Sequence, residues 1–173
     1  MPEPSVERTL PLLTRFRAGD RDALAGLLND PSIAGFTSVP HPYTREDADR
    51  WLRFVNQTTR KYGETRQFAI RCGEELAGGF DFRHLRPAQK GEIGYWLGSR
   101  FRGRGIMTEV VGGACGYARE RWSLERIEAL VYPHNQASIR VLEKNGFDKE
   151  GLRKNFFKRN DALFDALLFA KTC

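Results

Sequence analysis

The sequence predicts a mixed α/β fold, with an antiparallel N-terminal half followed by a parallel junction near residues 92 to 132. Three observations carry that reading. The apolar period switches several times between two and about 3.6 residues, so strands and helices both occur. A well-signalled helix opens at Thr44, and alternating runs through Phe68, Phe80 and Phe82 follow it, separated by turn residues. A helical stretch after Gly103, running to about Trp122, lies between two strand-like runs. A strand–helix–strand connection of that kind closes right-handed with its strands parallel.

Residues 8 to 17 read as an opening strand, which Pro11 confines to a sheet edge because proline has no N–H to give to a ladder. Asp20 to Asn29 reads as a short helix with Ala23, Leu24, Leu27 and Leu28 on one face. Residues 31 to 43 hold Pro31, Pro40 and Pro42 and read as loop. Thr44-Arg-Glu-Asp47 has the form of a capping box. The helix it opens buries Trp51, Leu52 and Val55, with Phe54 at the margin of that face, and ends at Gly63.

Gln67 to Cys72, Leu76 to His84 and Glu92 to Gly98 read as strands, with turns at Gly73-Glu74 and between Pro87 and Gln89. Glycines inside the third strand mark a bulge or a close approach by another backbone or a ligand. The helix after Gly103 turns Val110, Val111, Cys115 and Ala118 inward, and Ile127 to Tyr132 is a short apolar strand. Asn135 caps a helix that runs to Asn145, and Gly146 takes the left-handed position after it. Phe147 to Arg153 and Ala162 to Lys171 close the chain as strands. No repeat or low-complexity linker divides the chain, so residues 1–173 are expected to form a single domain.

Composition narrows the function classes. With 40% hydrophobic and 12% aromatic residues, the 173-residue chain can bury a real core, and 29% charged residues with a net +6 is not the signature of disorder. No apolar run approaches the roughly 18 residues of a membrane-spanning helix. Residues 1 to 8 lack the apolar h-region of a secretory signal. Cys72, Cys115 and Cys173 are an odd number without C-x-x-C spacing, expected as free thiols in a reducing cytoplasm. His41, His84 and His134 share no ligand spacing, so no metal is expected. A pI near 9.5 admits nucleic acid, an acidic surface or a phosphorylated ligand as partner.

The sharpest local signal is Arg100-Phe-Arg-Gly-Arg-Gly-Ile-Met-Thr108, between a strand ending near Leu97 and the next helix. Glycines there let backbone N–H groups converge without a Cβ in the way. The helix N-terminus adds orphan donors and partial positive charge, making a diphosphate cradle. Arg100, Arg102 and Arg104 add charge around it. The bland alternative is a tight turn with solvated arginines. A dinucleotide G-x-G-x-x-G would need glycine or alanine where Thr108 stands, and no Walker lysine follows the glycines.

With these residues in hand, the chain resembles the GNAT N-acetyltransferases. Arg100-x-x-Gly103-x-Gly105 matches that family's Arg/Gln-x-x-Gly-x-Gly/Ala loop. Glu92-Ile-Gly-Tyr-Trp-Leu-Gly98 and Gly105-Ile-Met-Thr-Glu109 resemble the ribosomal-protein N-terminal acetyltransferase (RimJ/RimL-like) branch. Asn135-Gln-Ala-Ser138, then Val141-Leu-Glu-Lys-Asn-Gly-Phe147 and Glu150-Gly151, match the family's next motif in order and spacing, and Asp165 before an apolar strand fits as well. The match runs over roughly residues 8 to 170.

The resemblance implies the GNAT acyl-CoA N-acyltransferase fold: a central, mostly antiparallel sheet with one splayed parallel pair and helices on both faces. It implies acetyl-CoA as co-substrate. Arg100, Arg102, Gly103, Arg104, Gly105 and Ile106 would hold the diphosphate, and backbone groups of Tyr95, Trp96 and Leu97 would take the pantetheine arm as a missing strand would. An N–H near Leu97 would face the thioester oxygen. Asn135 matches the asparagine that bonds the pantetheine, besides its role as N-cap. Glu92 is the first candidate for general base, against an exposed carboxylate or an ion pair with an arginine. Ser138 stands at the position of the proton donor to sulfur, against a plain hydroxyl on a helix surface; Tyr132 and Tyr95 are weaker candidates. His84 could line the acceptor cleft, although an exposed strand end suits it better.

The implied acceptor is the α-amino group of a protein, such as a ribosomal protein. Such amines titrate near ~7.7–8.0, against about 10.4 for lysine, so a modest base suffices. The rival readings are a small-molecule acceptor (amino acid, polyamine or antibiotic), a coenzyme A-binding protein without turnover, and nucleic-acid binding through the arginines. No membrane partner and no direct nucleic-acid contact are expected, and a monomer or a homodimer fits equally.

Overall fold

The computed structural model describes residues 12–173. Its strands are β1 (Leu13–Thr14), β2 (Gln67–Cys72), β3 (Glu75–Arg86), β4 (Lys90–Leu97), β5 (Arg126–Val131), β6 (Asp148–Arg159) and β7 (Ala162–Thr172). Its helices are α1 (Arg21–Leu28), α2 (Pro31–Ala34), α3 (Arg45–Tyr62), α4 (Ile106–Trp122) and α5 (Gln136–Lys144). The seven strands form a mixed sheet in the order β1-β2-β3-β4-β5-β7-β6, in which β4 and β5 are the parallel pair. The mixed class and the parallel junction are as expected from the sequence. The described residues divide into two compact units: those up to Phe82 with Tyr95–Ile106, and Arg83–Gly94 with Met107–Cys173.

In the first unit, part of the strand expected over residues 8 to 17 lies outside the described residues, Pro11 included. The remainder pairs only at Leu13 and Thr14, against Ile70 and Ala69. It ends there because a 3-10 turn over Ala18–Asp20 takes over, with the Asp20 carboxylate accepting from Arg17 N–H at 2.7 Å. Asp20 also forms a buried ion pair with Arg71, at 2.7 and 3.0 Å, while Arg71 Nε donates to Thr14 Oγ1 at 2.8 Å. That knot joins β1, the turn and β2.

The apolar face of α1 is narrower than expected: Leu24 and Leu28 are buried, Leu27 is partly buried and Ala23 is exposed. The expected loop over 31 to 43 contains a one-turn helix, α2, because Asp30 accepts from Ser32 N–H and Pro31 presets the first helical φ. In α3 the capping box forms as expected: Thr44 Oγ1 accepts from Asp47 N–H at 3.2 Å, and the Asp47 carboxylate accepts from Thr44 N–H at 2.8 Å. Gly63 closes the helix at φ +70. Trp51 and Leu52 pack on a core of Leu24, Leu28, Ile33, Tyr43, Ala48, Ala69 and Leu76, whereas Phe54 is exposed and leans on the Trp51 ring. Burial pushes the Tyr43 phenol up to about 12.

In the second unit, Val110, Val111, Cys115 and Ala118 of α4 are all buried, as their spacing predicts, and burial pushes the Cys115 thiol up to about 12. Strand β5 pairs with β7 from Arg126↔Thr172 to Val131↔Leu167. Asn135 caps α5, and Gly146 follows it at φ +76. Strand β6 runs to Arg159, six residues past the expected end. Its register slips between Arg153 and Phe157, where Asn155 adopts φ +52 and donates its N–H to Asp165 Oδ1 at 2.9 Å. That bulge breaks the two-residue period, which is why the sequence pattern stops at Arg153.

Candidate active site

The expected cofactor residues of the first unit are contiguous, from Tyr95 to Ile106. The path begins with an exact fit between β3 and β4. A Cβ on Gly79 would collide with the Trp96 indole, and one on Gly78 with the Trp96 carbonyl. Trp96 therefore packs on the core cluster beneath the strand rather than standing clear of it. Tyr95 stacks on Phe80 with centroids 6.3 Å apart and planes within 8°. Leu97 is buried, and the peptide that follows it is held at both ends. Gly98 N–H donates to the Ala77 carbonyl at 2.8 Å, and the Leu97 carbonyl accepts from Arg102 Nε at 3.0 Å.

A 3-10 turn over Ser99–Phe101 leads into the glycines. Gly103 and Gly105 lie at φ +71 and +74, and a Cβ at either would meet no atom within 4 Å. Both features suit a cradle for an anion: a left-handed backbone that only glycine adopts easily, and open space where side chains would otherwise stand. Helix α4 starts at Ile106, three residues beyond Gly103, because those left-handed residues cannot be helical. Its first turn supplies orphan N–H groups and the positive end of the helix dipole.

The three arginines of the loop differ. Arg100 is ion-paired with Glu75 and lies 4.7 Å from the centre of the Phe101 ring. Arg102, besides its bond to Leu97, donates from Nη1 to Ser32 Oγ at 2.9 Å. Arg104 is exposed and makes no ion pair among the described residues. Of the three arginines expected to add charge around the loop, Arg100 is in an ion pair, Arg102 bridges Leu97 and Ser32, and Arg104 points its charge outward.

In the second unit, Glu92 is the third residue of β4, not its first, and is half-buried. Its neighbour in the parallel ladder is Glu128, so two carboxylates stand side by side on adjacent strands. Glu128 is held by Lys90 at 3.2 Å and by Arg126 Nε at 2.8 Å, and Arg126 also grips Glu150. Burial works to raise the Glu128 carboxyl, but the hydrogen bonds from Arg126 and Lys90 outweigh it and hold the group below the usual range. The ladder between β4 and β5 runs from Lys90↔Arg126 to Glu92↔Glu128 and goes no further, although both strands continue.

Asn135 Oδ1 accepts from Ser138 N–H at 3.2 Å, so the cap expected from the sequence is present. Ser138 is buried, at 9% exposed. Tyr132 is buried beside the same turn, with its carbonyl accepting from Asn135 N–H and its ring stacked on Phe157 at 4.4 Å. His84 is exposed at a left-handed φ of +50. Sequence reasoning missed Ser32, Asp30, Glu128 and Phe157. Ser32 lies in the segment read as loop, Asp30 between that segment and the helix before it, and the last two owe their places to register.

The family model for the acetyltransferase (GNAT) domain matches residues 12–148. The chain is 30% identical over 162 residues to an uncharacterized N-acetyltransferase, p20, of Bacillus licheniformis, covering 91% of this chain and 90% of that one. It is 31% identical over 134 residues to the ribosomal-protein-serine acetyltransferase of Escherichia coli K12, covering 70% and 75%. Among solved structures, RimL, a ribosomal L7/L12 α-N-protein acetyltransferase in complex with coenzyme A, superposes with a TM-score of 0.83 at 25% identity, over 92% of each chain. The ordered motifs, the fold and the family match agree: the chain belongs to the GNAT acetyltransferase family and is an N-acetyltransferase.

Proposed function

We propose that this enzyme, acting as one domain in the cytoplasm, transfers acetyl from acetyl-CoA to the N-terminal α-amino group of a protein, with a ribosomal protein as the first acceptor to test. The observation that carries the acceptor class is the 31% identity with a ribosomal-protein-serine acetyltransferase across three quarters of that protein's length. The cofactor assignment is supported by the left-handed, open Gly103 and Gly105 at the head of α4.

Acetyl-CoA supplies the reactive thioester. In this reading the N–H groups of the Gly103–Ile106 segment hold its diphosphate, the Tyr95–Leu97 backbone and Asn135 bind the pantetheine, and Leu97 N–H bonds the thioester oxygen. The neutral amine attacks the carbonyl carbon, a C–N bond forms and the C–S bond breaks. Glu92 takes the proton shed by the amine, directly or through water, and Ser138 gives a proton to the leaving sulfur.

Acetyl transfer from labelled acetyl-CoA to three acceptors tests the reading: a peptide with a free N-terminal serine or alanine, the same peptide with its N-terminus blocked, and a polyamine. Acetylation of the free peptide alone is expected. Acetylation of the polyamine alone would move the enzyme to small-molecule amines. Ser138→Ala should lower kcat more than acetyl-CoA affinity, and Glu92→Gln should shift the rate profile to higher pH. An unaltered profile would remove Glu92 as the base.

A further inference from the structure

We infer that Arg102 is a positioning residue, which sets the shape of the glycine loop by bridging the end of β4 to the one-turn helix α2. This rests on the reading of that loop as the coenzyme A cradle. The loop hangs between a pinned peptide at Leu97–Gly98 and the start of α4. Without a tie its two left-handed glycines would leave it free to open, since such residues carry the largest backbone freedom. Arg102 supplies the tie. Its Nε donates to the Leu97 carbonyl at 3.0 Å, within the loop, and its Nη1 donates to Ser32 Oγ at 2.9 Å, 70 residues away in sequence.

The far anchor is itself fixed. Asp30 Oδ1 accepts from Ser32 N–H at 2.8 Å, capping α2. Hydrogen bonds from the Ser32 hydroxyl and amide, then from the Ser99 hydroxyl, with Arg102 adding charge, hold the Asp30 carboxyl below its ordinary 3.8. Asp30 therefore holds the Ser32 end of the bridge in place through the Ser32 amide. The Leu97–Gly98 peptide receives Arg102 on its oxygen and gives its N–H to Ala77. Two donors on one guanidinium, aimed at two fixed acceptors, use the planar fork of arginine, and a lysine ammonium on its flexible stem cannot span them in the same way. Arg102 thus acts on coenzyme A through the loop backbone, while Arg104, next in the same motif, keeps an exposed charge.

The test is acetyl-CoA binding by calorimetry, with steady-state kinetics, on wild type, Arg102→Gln, Arg102→Lys, Ser32→Ala and the Arg102→Gln/Ser32→Ala double variant. Thermal melts control for folding. Arg102→Gln should raise Kd and KM for acetyl-CoA roughly tenfold, the effect of one charge-assisted hydrogen bond, with kcat at saturation little changed. Ser32→Ala should weaken binding about threefold although Ser32 is assigned no contact with coenzyme A, and the double variant should be no worse than Arg102→Gln alone. Arg102→Lys should fail to restore affinity. Two results would overturn the inference: full affinity in Arg102→Lys with Ser32→Ala also at wild-type Kd, which would make Arg102 a direct phosphate ligand, or wild-type Kd in every variant. If the wild-type enzyme itself bound no acetyl-CoA, the assignment of the cofactor would fail instead.

Discussion

Substitution of Gly105 by alanine separates the two properties of the loop, its backbone conformation and the space beside it. Gly105 sits at φ +74, and a Cβ there would meet no protein atom within 4 Å. The folded protein therefore pays only the cost of a left-handed alanine, about 1 kcal/mol. For a chain of this length that lowers Tm by roughly 2–4 °C. Coenzyme A should lose far more. A methyl group in the open cradle keeps the diphosphate off the N–H groups at the head of α4, and each hydrogen bond to a charged group is worth about 1.5–3 kcal/mol. Loss of one to two such bonds, about 3 kcal/mol, raises Kd by roughly a hundredfold. Calorimetric titration and a thermal melt of the same sample read both numbers. S-acetyl-pantetheine, which lacks the diphosphate, should bind wild type and variant alike. A Kd within a few-fold of wild type, beside the expected small drop in Tm, would refute the reasoning and place the diphosphate elsewhere.

Other outcomes follow from the packing. Gly79→Ala should destabilise the protein by about 1–3 kcal/mol through collision with Trp96, while Gly26→Ala, in the exposed middle of α1 with nothing near its Cβ position, should stabilise it by about 0.5–1 kcal/mol; chemical denaturation distinguishes the signs. Asp20→Ala strands the buried Arg71 guanidinium and should cost roughly 3–5 kcal/mol, seen as a Tm lower by about 10 °C. Glu128 has a folded pKa depressed below its ordinary 4.5. The stability it contributes is therefore complete above that ordinary value and disappears as pH falls through the lower folded value. Glu128→Gln should be less stable than wild type at pH 7, with the gap closing in acid; a constant gap would show that the ion cluster does not carry it.

Much of this was legible because it is local. Thr44, Asp47 and Gly63 bound a helix through bonds no more than a turn long, and Asn135 and Gly146 bound another. The glycine loop was legible for the same reason, since positive φ at Gly103 and Gly105 is a property of the residues themselves. What sequence could not reveal depends on pairs distant along the chain. Arg102 reads as a phosphate-facing cation until Ser32 and Leu97 are seen to hold it. Nothing near Arg71 in sequence marks it as buried; it is buried in an ion pair with Asp20, 51 residues away. The second half of β6 is invisible to periodicity because Asn155 and Asp165 build a bulge there, and α2 is too short to have a period.

The most direct measurement is calorimetric titration of the purified protein with acetyl-CoA, with NADH as the control ligand. Micromolar binding of acetyl-CoA is expected, with one site per chain and no heat from NADH. An absence of acetyl-CoA binding would contradict it, because the loop at Gly103 and Gly105 would then be a turn and not a cradle.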